Sequence, residues 1–562
     1  MNIEKIKPSG IFTNYIYKCI PLAFDESMSY YETLCAILNR LYDDEKVVNH
    51  NADLLAELEE YVNHYFDNLD VQEMIDEKLD KMVIDGTLAD IINQEIFGEL
   101  SGKVTQLENK TANITTDEAN IQKLLKFNEY TNKPLRYGEL SLPSDFNGIN
   151  FKLYRANDGS IYDDLNLSSF DSNNVVYVDY DNGDDTTHED GIFKTVKGAL
   201  TYVNSLTGNV YKIKCKTYRF SRNEFYNEQD GTADFTMNKS IIIEPYDPEK
   251  RIVVSTDQRN LEWTQTNGLW TTTRAGVTGM YNINKPNGFG MYTPLTQVES
   301  LADCQATVES YYLSGSDVYV HTEGNLQPNY DRYILRLGLT IIRFDLNGNH
   351  FLRLKNIDFY PSGRINFHNS GSSYENTVIL ENVHLYGSND NNGIGIADIK
   401  TAYVLECITG ANRRDGFNYH YANTPSNVIP NLIAYERNCI SFNNGINDEN
   451  SNNNCSTIHE GGRIIRVNGV YQNSKSIAIA DIGSSKTMMI NCEVNQFTNN
   501  YHAYRFDDEV EGSGLGRAYL IDCTALQKRT LSIEGTEDFN VQVKNFHGNY
   551  ENSDLNISLY EE

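Results

Sequence analysis

The chain has 562 residues, enough for several domains, and carries 47 Lys and Arg against 78 Asp and Glu, a net charge of −31. That balance argues against nucleic acid and anionic membranes as partners, while a local basic patch stays compatible with an anionic polymer. No apolar run approaches the length of a membrane-spanning helix, and the opening MNIEKIKPSGIF lacks the apolar core of a signal peptide.

Residues 1–45 start aromatic and extended. From Ser27 the spacing of Tyr30, Tyr31, Leu34, Ile37, Leu38 and Leu41 predicts a helix, capped by Asp25 or Ser27. Val48, Leu55 and Val62 recur at heptad spacing, as do Asn51, Leu58 and Tyr65. A second seam runs through Leu107, Ile114 and Ile121, with Glu118 breaking one position. Stripes this thin do not hold a single helix in water, so the region reads as an oligomer stalk. An intrachain bundle is the alternative for 65–100. The reading gives a helical region at 1–100, a coiled coil at 101–130 and a linker or neck at 131–172, with turn signals in LPSDFNG and ANDGS.

Residues 173–252 open with a strand, the acidic loop DYDNGDD and an amphipathic helix carrying Phe193, Val196, Ala199, Leu200 and Val203. Such a helix is expected to close the end of a solenoid. The acidic loop lacks the terminal Glu of a calcium loop. Residues 253–340 read as short hairpins inserted beside the first coils.

Within 341–562 a pattern returns: an apolar strand, then Asn or a substitute, then a small or β-branched residue. It falls at Asn356-Ile357, Asn382-Val383, Glu406-Cys407, Asn438-Cys439, Asn468-Gly469, Asn491-Cys492, Asp522-Cys523 and Asn545-Phe546, in steps of 26, 24, 32, 30, 23, 31 and 23 residues. Repeats of this length mean stacked units. With no helical period in them, they predict a mainly β fold, a right-handed parallel β-helix with one coil per repeat. The Asn is expected to be buried and to bond its counterpart on the next coil. Of 9 Cys, Cys407, Cys439, Cys492 and Cys523 share one repeat position and are expected as a buried row of free thiols.

A β-helix is a rigid rod with a side groove suited to an extended polymer. Polar residues gather at the ends of each coil's later strand, among them His368, Asp398, Asp415, His420, His459, Glu460, Asp481, Asp507 and Glu534. Coils stack about 5 Å apart, so carboxylates one or two coils apart approach the spacings of glycosidase pairs. Asp415, His459, Glu460 and Asp481 are therefore the candidate catalytic residues, expected on one exposed face. His420, Arg414, Arg463, Asp398 and Tyr419 are the candidate substrate-binding residues. The plain alternative is that these groups are solvated or cap backbone. No cofactor is called for, although two His and two carboxylates could hold a divalent cation and cleave a phosphodiester.

The N-terminal stretches KIKPSGIFTNYIYKCIPLAFDESMSYYETLCAILN and YFDNLDVQEMIDEKLDKMVIDGTLADII resemble the anchors of tail-spike or tail-fibre proteins of short-tailed bacteriophages of Gram-positive hosts. GIFKTVKGALTYV with its coils resembles the pectate-lyase-like superfamily. DGFNYHY, SNNNCSTIHEGGRIIRVNGVY and IADIGSS resemble β-helix domains of phage and bacterial surface proteins, many presumed glycan-cleaving; Glu460 stands where Asp is more usual. The resemblance implies a homotrimeric virion protein assembled in the host cytoplasm. It would attach through residues 1–100 to neck, tail or portal-collar proteins. Its target would be a host cell-surface polysaccharide or teichoic acid. Three roles stay open: a depolymerase (hydrolase, lyase or teichoic-acid phosphodiesterase), a non-catalytic receptor-binding fibre, and a structural appendage.

Overall fold

The computed structural model describes residues 136–560 apart from short stretches, the longer ones being 226–232, 370–374, 421–431, 446–452, 508–515 and 551–555. The helices expected in the N-terminal region, the heptad seams and the anchor all fall in 1–135, outside the described residues.

From Val175 onward the chain is mainly β, and its strands pair in parallel, coil on coil, the arrangement of a β-helix. Each regular coil has three faces. The coil after Lys400, for example, runs Thr401–Leu405 on the first face, Ile408–Gly410 on the second and Phe417–His420 on the third. Side chains alternate inward and outward along every strand. The inward ones form a largely apolar interior in two clusters, with Phe344, Phe367 and Ile396 stacked in one column of the third face.

The repeated Asn is a corner residue. Asn356, Asn382, Glu406, Asn438, Asn468, Asn491, Asp522 and Asn545 all have φ between 49° and 58°, a left-handed backbone that Asn and Asp tolerate better than most residues. Their amides bond along the rod, Asn382 Nδ2 to Asn356 Oδ1 at 2.8 Å and Asn491 Nδ2 to Asn468 Oδ1 at 2.8 Å. The ladder exists, but it is partly or fully exposed, not buried as expected, because a left-handed corner turns its side chain outward. A buried amide ladder occurs at the next corner, where Asn412 Nδ2 donates to Asn444 Oδ1 at 2.9 Å.

The residue after the corner points inward. Cys407, Cys439, Cys492 and Cys523 are free and fully or almost fully buried. They share one register column, with Gly469 between Cys439 and Cys492. There a Cβ would stand 2.5 Å from the Tyr471 ring.

The helix Val196–Ser205 is capped by Thr195, whose hydroxyl accepts from Gly198 N at 2.9 Å, and it buries Val196, Ala199, Leu200 and Val203 against the first coils. In the acidic loop, Asp185 accepts from Lys194 N, Thr195 N and Thr195 Oγ1 at 2.9, 3.0 and 2.7 Å, so this carboxylate braces the helix start.

Two faces are covered. Residues 136–170, expected as an irregular linker, contain an antiparallel sheet of Arg136–Glu139, Leu153–Ala156 and Ile161–Asp163. This strap lies along the first face. Phe151 packs on Tyr435 at 4.3 Å between ring centroids, and Asp163 accepts from Tyr435 Oη and Arg437 Nη1. The outward column there is apolar (Ile379, Tyr403, Tyr435, Ile465, Met488), which is why it needs a cover. The insertion starts slightly later than expected, since Ile252–Ser255 still pairs in the solenoid. It packs on the second face of the earlier coils, stacking Tyr292 on Tyr360 and Phe289 on Phe442.

Cys439→Asp should destabilise the chain by several kcal/mol, about 3–5, by burying an unpaired charge in the thiol column. Native-state thiol labelling should leave all four column cysteines unmodified until the protein unfolds.

Candidate functional site

The third face carries two outward columns. One runs Asn366, Gly395, Asn418, Thr457, Ala480 and Arg505; the other runs His368, Ala397 and His420, then continues in register through His459 and Ile482 to Asp507. Thr457 and Ala480 are short, while the coils on either side bear longer groups. The result is a cleft of 390 Å³, floored by Thr457 and Ala480 and bounded by Arg414, Asp415 and Asn418 at one end and Arg505 and Asp507 at the other. Asn418 and Arg505 are three coil steps apart, about 14 Å along the rod.

Of the expected residues, Asp415, His459 and Arg414 line this cleft. Asp415 precedes its strand and is 8% exposed. Its Oδ1 accepts from Asn454 N at 2.8 Å and its Oδ2 from Asn418 Nδ2 at 3.0 Å. Burial raises its pKa from 3.8 to about 6, against those hydrogen bonds and the Arg414 charge, which lower it. His459 is pushed down to about 4, first by burial and then by the neighbouring His420, so its imidazole is neutral at pH 7. Its Nε2 lies 3.1 Å from Thr457 Oγ1.

The other candidates are elsewhere. Asp481 is inside the solenoid, fully buried, in register with Ile458 and Phe506. It receives Arg466 Nη1 and Nη2 at 2.7 and 2.9 Å, Thr487 Oγ1 at 2.5 Å and Ile458 N at 3.1 Å. Arg466 Nε donates to Ser456 Oγ at 3.0 Å, and Ser456 Oγ to Glu436 Oε1 at 2.8 Å. Tyr471 Oη also donates to Glu436. Asp481 thus belongs to an interior charge network, because strict alternation turns Ala480 and Ile482 outward and the residue between them inward. Tyr419 is interior for the same reason and cannot meet a substrate. Arg463 lies on the first face, donating to Asn147 O at 3.0 Å in the strap. Glu460 is exposed at the corner closing the third face, with φ of 51°, and is not part of the cleft lining. The four expected catalytic side chains therefore do not share one face. The set proposed to hold a divalent cation is likewise not assembled; among the described residues no group of three or more His, Cys, Asp or Glu is placed to bind one.

Asp398 and His420 lie beyond the cleft, on its N-terminal side. Asp398 is buried beside His368, 3.3 Å from its Nε2, while Asp345 stands 3.0 Å from His368 Nδ1. These two hydrogen bonds raise the His368 pKa to about 9. His420 is lowered by burial, with Asp398 opposing.

Among the residues that sequence reasoning did not assign to the site, Asn392, Asn418, Asn454, Thr457, Arg505 and Asp507 matter most. Asp507 was visible as a polar strand end. The Asn and Thr residues gave no signal in a chain so rich in both. Arg505 donates to Asp507 through Nε. An offset of five positions and three coils puts the Asp415 and Asp507 Cα atoms roughly 20 Å apart. Glycosidase carboxyl groups stand about 5–9.5 Å apart.

No protein-family model and no curated protein sequence matches the chain. Three solved structures match distantly. One titled a glycoside hydrolase covers 66% of this chain and 96% of its own, at 10% identity and a TM-score of 0.40. A complex of XylC with xylose covers 66% and 69%, at 8% and 0.31. The periplasmic alginate epimerase AlgG covers 63% and 75%, at 11% and 0.23. Scores this low carry no chemistry over to this chain.

Asp481→Asn should destabilise the fold by about 3–5 kcal/mol by leaving Arg466 uncompensated in the interior, read as a drop in melting temperature. Asp415 should show the opposite pH signature to a salt-bridged carboxylate. Its folded pKa of about 6 exceeds the unfolded 3.8, so its contribution is fully present below pH 3.8 and is lost as pH rises through 6. Between pH 3.5 and pH 7 the native chain should lose about 3 kcal/mol relative to Asp415→Asn, measured by paired denaturation curves.

Proposed function

We propose that this chain is a receptor-binding tail spike or fibre of a short-tailed phage of a Gram-positive host. Its third face binds a host cell-surface polysaccharide during adsorption. The observation that carries the binding role is the distribution of cover. The strap and the insertion lie on the first and second faces, whereas the third bears a polar cleft crossing several coils. An elongated cleft of amide, hydroxyl and charged groups on a rigid rod suits an extended, hydroxyl-rich chain. The virion-attachment role of residues 1–100 and the homotrimer rest on the wording and heptad spacing of the N-terminal sequence.

Cleavage is a second reading, favoured by the placement of Asp415, a nearly buried carboxyl group at one end of the cleft. Asp415, with a pKa of about 6 in an open cleft, is suited to giving a proton near neutral pH. In that reading Asp415 is the general acid toward the leaving oxygen.

The test combines binding and product release. Surface-polysaccharide and cell-wall fractions of the host should co-sediment with the full chain, and a chain starting at Pro134 should bind host cells yet fail to join virions. If reducing ends appear, Asp415→Asn should lower their release by about 10²–10⁴-fold while binding persists. Host-cell binding by a 1–100 fragment, with none by the chain from Pro134, would sink the assignment of roles.

A further inference from the structure

Asn454 is 6% exposed and lines the cleft. Its backbone N and its Nδ2 both donate to Asp415 Oδ1, at 2.8 and 3.3 Å. The carboxylate fixes the amide's orientation, since only the NH₂ end can face it. The other end, Oδ1, is buried and has no hydrogen-bond partner. A buried acceptor left in this state calls for a donor from whatever occupies the cleft.

The cations of the cleft are already compensated. Arg505 is held by Asp507 through both Nε and Nη2. Arg414 sits beside Asp415 and favours its ionised form. Arg463, the remaining cation expected here from sequence, is engaged with the strap. The chain as a whole carries −31, a field that repels polyanions.

Given the reading of this cleft as a glycan site, we infer that it takes an uncharged, hydroxyl-bearing stretch of polysaccharide, with a sugar hydroxyl donating to Asn454 Oδ1. A carboxylate or phosphate in that place has only acceptors to offer. It would meet Asn454 Oδ1 acceptor to acceptor, while Arg414 and Arg505, the cations among the described lining residues, already face Asp415 and Asp507.

The probe is surface polysaccharide extracted from a Gram-positive strain whose cells bind the full chain, split on an anion exchanger into unretained neutral and retained anionic fractions. Affinity electrophoresis of the native chain through gels holding each fraction gives the dissociation constants. The neutral fraction should retard the chain, with affinity changing less than about twofold between low and high salt, because no charge pairing is involved. Asn454→Leu, checked by melting temperature, should bind the neutral fraction about tenfold more weakly. Retardation by the anionic fraction alone, or neutral binding that collapses with salt, overturns the inference and leaves the glycan reading intact. Both measurements use the native chain, so they decide the matter even if the variant misfolds. Retardation by neither fraction overturns the glycan reading and the inference with it.

Discussion

The structure depends on a backbone constraint: each coil from Phe351 to His547 turns from its first to its second face at a residue held in the left-handed region. Asn and Asp adopt that conformation at little cost, and their amides and carboxylates bond the equivalent residue one coil away. Because these coils all turn at the same place, the strands before and after it fall into register. Register then decides which side chains enter the interior. Glu406 holds the corner without an amide and faces Arg437 of the next coil, so an ion pair stands in for one rung.

Beneath the cleft the interior is not purely apolar. Arg466 lies between Asp481 and Glu436, with Ser456, Thr487 and Tyr471 supplying further hydrogen bonds. Burying such a group costs more than burying leucines unless its polar atoms are well satisfied. The network also has a consequence for the surface. Asp481 holds Ile458 N, and Ile458 sits between Thr457 and His459, both of which line the cleft. An interior ion pair thus stiffens the strand that floors the cleft.

Cover decides where an extended ligand can lie. The strap fills the first face because its outward column is apolar, and the insertion's aromatic residues occupy the second face of the earlier coils. On the third face the outward residues are mostly amides, imidazoles and small side chains. Two short residues, Thr457 and Ala480, are enough to sink a cleft between longer neighbours.

The sequence by itself determined the stacked-coil architecture, the thiol column and the helix over the first coils. Each of these follows from local periodicity, and Cys439 or Leu200 meets the same surroundings in any arrangement that keeps the period. It also marked Asp415 and His459 as polar groups at coil ends. What only the tertiary structure decided was direction and company. Asp481 reads as a surface acid until alternation turns it inward to Arg466, whose own burial is invisible in the text. Arg463 reads as a substrate cation until a strap more than 300 residues earlier in the chain claims it. Partners so distant in sequence meet only once the register is set, and a one-residue difference in register exchanges inside for outside.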